Sequence, residues 1–100
     1  MFRLIRVEGD SMSPTLVNGD YILIKKARSR MKPQPGLIYV IDHHRLGQII
    51  KRLSRINEKG LWFSGDSPES TSTESLGPTR PNDITGRAVL KISPKSVRLL

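Results

Sequence analysis

The chain has 100 residues, 36% of them hydrophobic and 26% charged, which suits one small soluble domain with one modest core. It has no cysteine, which excludes disulfides, zinc–thiolate sites, iron–sulfur clusters and thiol nucleophiles; catalysis must use oxygen or nitrogen nucleophiles. Seventeen Lys and Arg against nine Asp and Glu give a formal charge of +8, which attracts nucleic acid, an anionic membrane surface or an acidic protein without choosing among them.

Met1 to Val7 alternates apolar with basic residues and lacks the apolar stretch of a secretory signal, so it reads as the first strand of a cytoplasmic protein. After it, a helix is expected only as a turn or two following Asp10 or Ser11, where Pro14 suits a first-turn position. Period-two patterning and β-branched residues then predict strands at Tyr21–Ile24, Leu37–Ile41, Ile49–Leu53, Leu61–Phe63 and Ala88–Ile92. Turn formers separate them: Asn18-Gly19-Asp20, Pro33-Gln34-Pro35-Gly36, Asp42 to Gly47, and Asn57 to Gly60. The longest apolar run, Leu37 to Ile41, is far short of the roughly 20 residues that span a bilayer, so no transmembrane anchor is expected. Residues 1–100 therefore read as a single, mainly β domain.

Two stretches stay open. The polar run from Asp66 to Ser75 has the composition of a disordered loop, yet a long loop inside a small domain is often functional. The carboxyl-terminal Lys95 to Leu100 could be a last strand, a tail or a partner contact. Basic residues concentrate at Lys25, Lys26, Arg28, Arg30 and Lys32 and again at Lys51, Arg52 and Arg55.

Two positions could carry chemistry. Ser11, on a Gly-led turn just after a strand, can present its hydroxyl to solvent and its amide N–H to a bound carbonyl, although serines in such turns commonly only cap. Lys51 shares one face of its strand with Ile49 and Leu53. If that face is the core side, lost hydration lowers the lysine pKa and makes a neutral amine, a competent base for a serine hydroxyl. If the faces are reversed, Lys51 is an ordinary surface lysine.

Taken together, the two segments resemble the signal-peptidase superfamily of serine–lysine proteases, over about Val7 to Pro94. The serine box of that family, Ser-Met-x-Pro-Thr-Leu followed by Gly-Asp, is matched by Ser11-Met12-Ser13-Pro14-Thr15-Leu16 with Gly19-Asp20. The lysine box is matched by Lys51-Arg52-Leu53, the Gly-Asp box by Gly65-Asp66, and the closing Gly-Arg by Gly86-Arg87. The resemblance implies a small fold of coiled antiparallel sheets, with Ser11 as nucleophile, Lys51 as general base and the Ser11 N–H in an oxyanion hole. It further implies that Ser70 orients the lysine and that Met12 and Pro14 contact the substrate. No metal or cofactor is implied. The family's Ser-x-Asp-Ser-Arg reads Ser70-Thr71-Ser72-Thr73-Glu74 here, without the acid and the arginine that brace the site, and Gly9 offers no hydroxyl two residues before Ser11.

The short form most resembles the nickel-type superoxide dismutase maturation proteases. Their partner would be a precursor protein from which a short amino-terminal leader is removed. Self-cleaving repressors pair serine with lysine in the same fold, but only ten residues precede Ser11 here. The reading from another class is an inactive basic β domain that holds nucleic acid or an acidic protein; the boxes weigh against it. The oligomeric state is left open.

Other residues have plainer uses. His43-His44 suggests a metal site, but adjacent side chains are expected to point apart and further ligands are scarce, which favours a hairpin turn. Trp62-Phe63 reads as a strand with one aromatic facing inward, and Asp10 and Asp20 as turn and capping residues.

Overall fold

The amino-terminal alternation forms strand β1 (Phe2–Arg6) in the computed structural model, which describes residues 1–100. Six strands follow: β2 (Tyr21–Lys26), β3 (Ile38–His43), β4 (Gly47–Asn57), β5 (Gly60–Ser64), β6 (Ile84–Ser93) and β7 (Ser96–Leu99). All pairings are antiparallel. The sheet order is β1-β2-β6-β3-β4-β5, with β7 also on β6. The fold is thus the mainly β architecture that the patterning predicts, and the open carboxyl terminus is a seventh strand.

β6 closes the sheet by inserting between β2 and β3. Its contact is close at Gly86, where a Cβ would lie 2.6 Å from the Lys25 carbonyl oxygen, so this position of the Gly-Arg box has a steric reason.

β3 explains the long apolar run. Ile38 and Val40 belong to one buried cluster with Ile5, Val7, Met12, Leu16, Ile22 and Ile24, while Tyr39 and Ile41 belong to a second with Leu53, Leu61, Phe63 and Leu76. A strand covered on both faces has no polar side to alternate with. The Tyr39 and Phe63 rings meet edge to face with centroids 6.1 Å apart.

The expected helix after Asp10 is a series of turns, in which Leu16 N donates to the Met12 carbonyl at 2.9 Å. The helix lies elsewhere, within the polar stretch: α1 (Thr73–Leu76), followed by a 3-10 turn at Pro81–Asp83. Ser72 caps α1, its side chain accepting from Ser75 N, and Glu74 occupies the first turn. Four residues with one apolar anchor, Leu76, carry no helical period, which is why the pattern reads as loop. No helix is long and apolar enough to cross a membrane.

Candidate active site

Alternation along β4 turns Ile49, Lys51 and Leu53 to one face, and that face is the inner one. Lys51 pairs directly across from Tyr39 and is only 4% exposed. Burial pushes its amine below the ordinary lysine range, and no charged or hydrogen-bonding partner offsets this.

Ser11 is held by its neighbours. Met12 and Leu16 anchor the turn in the first cluster, and Lys91 Nζ donates to the Thr15 carbonyl at 3.1 Å. At the base of the turn Gly9 N donates to Asn18 Oδ1 and Val17 N to Asp20 Oδ2, so Asp20 has the capping use its sequence context suggests. Half-buried Ser11 makes no hydrogen bond through its own N–H, while its carbonyl accepts from Ser67 N at 3.0 Å.

The third segment packs against this carbonyl. A Cβ on Gly65 would overlap the Ser11 carbonyl oxygen and come within 2.6 Å of Ser70 Oγ, so only glycine lets the Ser70 loop lie this close. Two clefts result, of about 380 and 280 Å³, and both are lined by Ser11, Lys51 and Thr71. Ser70 lines the smaller, with Ser67 and Glu69. Arg6 to Glu8 and Gln48 to Ile50 also line the larger. Ser11, Lys51 and Ser70 therefore share one cleft, although no hydrogen bond joins their side chains in this conformation. Met12 lines the larger cleft while 2% exposed, whereas Pro14 is exposed and lies outside both. Thr71, which the sequence does not single out, faces both.

An acid–arginine pair stands beside the clefts, formed not within the Ser-x-Asp-Ser-Arg stretch but by Arg52 of the lysine box and Asp66 of the Gly-Asp box. Arg52 donates through Nε to Asp66 Oδ1 at 2.9 Å and through Nη2 to Oδ2 at 2.7 Å, and Thr15 Oγ1 donates to the same Oδ2 at 2.6 Å. These bonds join the segments that carry Ser11, Lys51 and Ser70. The hydrogen bonds from Arg52 hold the Asp66 carboxyl below the ordinary range, and the bond to Asp66 raises the Arg52 guanidinium in turn. Glu74 faces away, 3.7 Å from the exposed Arg55.

His43 and His44 correct the expectation that adjacent side chains diverge: their rings stack with centroids 4.5 Å apart. Buried His43 takes a fixed tautomer, its Nε2–H donating to the Leu76 carbonyl at 2.8 Å and its Nδ1 accepting from Arg45 N and Leu46 N. Its task is to seat α1 on the sheet. Phe63 is the inward aromatic; Trp62 lies outside, under the Arg55 guanidinium at 4.6 Å.

A family model described as Peptidase S24-like matches residues 2–89, a span that contains the serine turn, β4 and the Ser70 loop. The chain belongs to that family. As a Peptidase S24-like domain it is of the serine peptidase type, within the serine–lysine superfamily that its boxes resemble. No curated protein matches the chain.

Proposed function

We propose that this Peptidase S24-like domain is an endopeptidase in which Ser11 attacks and Lys51 serves as general base. The observation that carries the reading is the largely buried Lys51 side chain, with no ionic or hydrogen-bond partner, lining the same clefts as Ser11. A lysine with a lowered pKa supplies a neutral amine at moderate pH, and the cleft supplies a hydroxyl for it to activate.

The substrate enters as an extended strand. β5 pairs with β4 only from Arg52 onward, so Gly47 to Lys51 have a strand neighbour on one side alone, and the larger cleft lies along them. A peptide adding to this free edge brings its scissile carbonyl to Ser11. Ser11 Oγ bonds to the carbonyl carbon as its proton passes to Lys51 Nζ, and the oxyanion accepts from the free Ser11 N–H. The Lys51 ammonium then protonates the departing amine, leaving an acyl-enzyme. Water attacks the ester, giving its proton to Lys51, and the proton returns to Ser11 Oγ as the acid leaves. Ser70 orients the lysine from the smaller cleft.

By the resemblance of its boxes, the substrate is a precursor protein bearing a short amino-terminal leader, as in nickel superoxide dismutase, cut after small residues. Mass spectrometry of that precursor incubated with the protein and with Ser11→Ala tests this. One new amino terminus that requires Ser11 is the expected result. Cleavage that persists in Ser11→Ala overturns the dyad, and cleavage of other peptides but not of the precursor overturns the substrate.

A further inference from the structure

The charge of +8 is not spread evenly once the chain is folded. Of the two basic concentrations along the sequence, the second is used up internally: Lys51 is buried, Arg52 is bound to Asp66, and Arg55 sits between Glu74 and Trp62. The first is not. Lys25, Lys26, Arg28, Arg30 and Lys32 line a pocket of about 300 Å³, and β6 adds Arg87. No carboxylate lines it, and none of the six cations is in an ion pair. Arg87 Nε is buried without a hydrogen-bond partner in the chain, which is costly for a charged group.

The pocket is built by the fold. Lys25, Arg87, Tyr39 and Lys51 form one cross-strand row over β2, β6, β3 and β4, so the ring of Tyr39 separates Arg87 from the catalytic cleft. No residue is common to the pocket and the two clefts. The segment that bears Arg28 to Lys32 is closed by turns, Met31 N donating to the Arg28 carbonyl at 2.9 Å, and is pinned where Gln34 N donates to Tyr39 Oη at 2.9 Å.

We propose that this pocket binds a cluster of two or three phosphates, from a free polyphosphate or from the backbone of single-stranded nucleic acid. Six cations around a space this small exceed what one carboxylate can balance, and the three guanidinium groups suit the forked geometry of phosphate oxygens. A half-open pocket of about 300 Å³ admits a compact group rather than a long duplex. The inference does not rest on the peptidase reading.

The test is calorimetric titration with inorganic tripolyphosphate and anisotropy with a labelled single-stranded oligonucleotide, on the full chain at about 50 and 200 mM salt. Arg28→Glu with Arg30→Glu is compared with Arg3→Glu and Arg98→Glu, two exposed arginines outside the pocket. Saturable one-to-one binding of tripolyphosphate is expected, weakened at least about tenfold by the first pair and under about twofold by the second. If nucleic acid is the source, the oligonucleotide binds more tightly than tripolyphosphate, with a salt slope of about −1.4 to −2.1, the value for two or three phosphates. If the source is free polyphosphate, the order is reversed. Absence of saturable binding of either probe, equal weakening by both variant pairs, or equal affinity for an acidic peptide overturns the proposal. Ser11→Ala retains binding in every supporting case, so loss of the peptidase reading leaves this result intact.

Discussion

Arg52, paired with Ser64 at the end of the β4–β5 ladder, reaches Asp66 just beyond β5 with two parallel hydrogen bonds, and the Asp66 oxygen that accepts from Arg52 Nη2 also accepts from Thr15 Oγ1. Asp66→Asn removes the ionic acceptor from a partly buried pair and loosens the serine turn. A loss of about 1–2 kcal/mol is expected in a urea unfolding midpoint. The Asp66 pKa is lowered by folding from 3.8, so its contribution is complete above that value and fades as pH falls through the lower, folded one. The variant should therefore converge on the parent in acid.

Lys51→Met should leave the fold intact and reduce cleavage by about a thousandfold or more. In the parent, the rate should rise with pH toward a midpoint below the 10.5 of a free lysine, as the amine loses its proton. Stability moves in the same direction. Between the lowered folded pKa and 10.5 the unfolded chain binds more protons, so the parent gains stability with pH there. Below that window the buried cation is a full cost, and Lys51→Met should have the higher Tm; the gap should narrow as pH climbs toward 10.5. Thermal melts across the alkaline range check this.

Gly65→Ala places a methyl group against the Ser11 carbonyl and Ser70 Oγ. The backbone oxygen cannot swing aside as a flexible side chain would, so the loop must retreat. The expected cost is about 1–3 kcal/mol of stability, with the kcat for cleavage falling more than the Tm shift explains.

His43→Ala deletes the donor to the Leu76 carbonyl and the acceptor of two backbone N–H groups. Leaving that carbonyl buried and unpaired should cost about 1–3 kcal/mol. Limited proteolysis should then cut first within the segment around α1.

Six of the seven strands were legible because each carries an apolar period-two face or, in β3, two; β7 was left open because its side chains, Val97 and Leu99 among them, are mostly exposed. The inner position of Lys51 was left open by the alternation, because Ile49, Lys51 and Leu53 on one side and Ile50 and Arg52 on the other offer two possible core faces; the structure turns the first inward. The brace formed by Thr15, Arg52 and Asp66 was not legible, since a contact between positions 15 and 66 has no local period and depends on how the Gly65 turn meets Ser11. The helix α1 escaped notice because its hydrogen bonds involve polar caps and its one anchor, Leu76, is docked by a histidine more than thirty positions away. The resemblance of the boxes nominated Ser11 and Ser70, far apart in the chain, and the structure brings both to the cleft that Lys51 also lines.

β3 contributes none of the proposed catalytic groups, yet both halves of the site lean on it. Val40 shares a buried cluster with Met12, the neighbour of Ser11, and Ile41 shares the other with Leu76, which anchors the segment that follows Ser70. Random mutagenesis scored by cleavage should accordingly return inactive clones in this strand whose products are folded, soluble and untouched at every residue that meets the peptide.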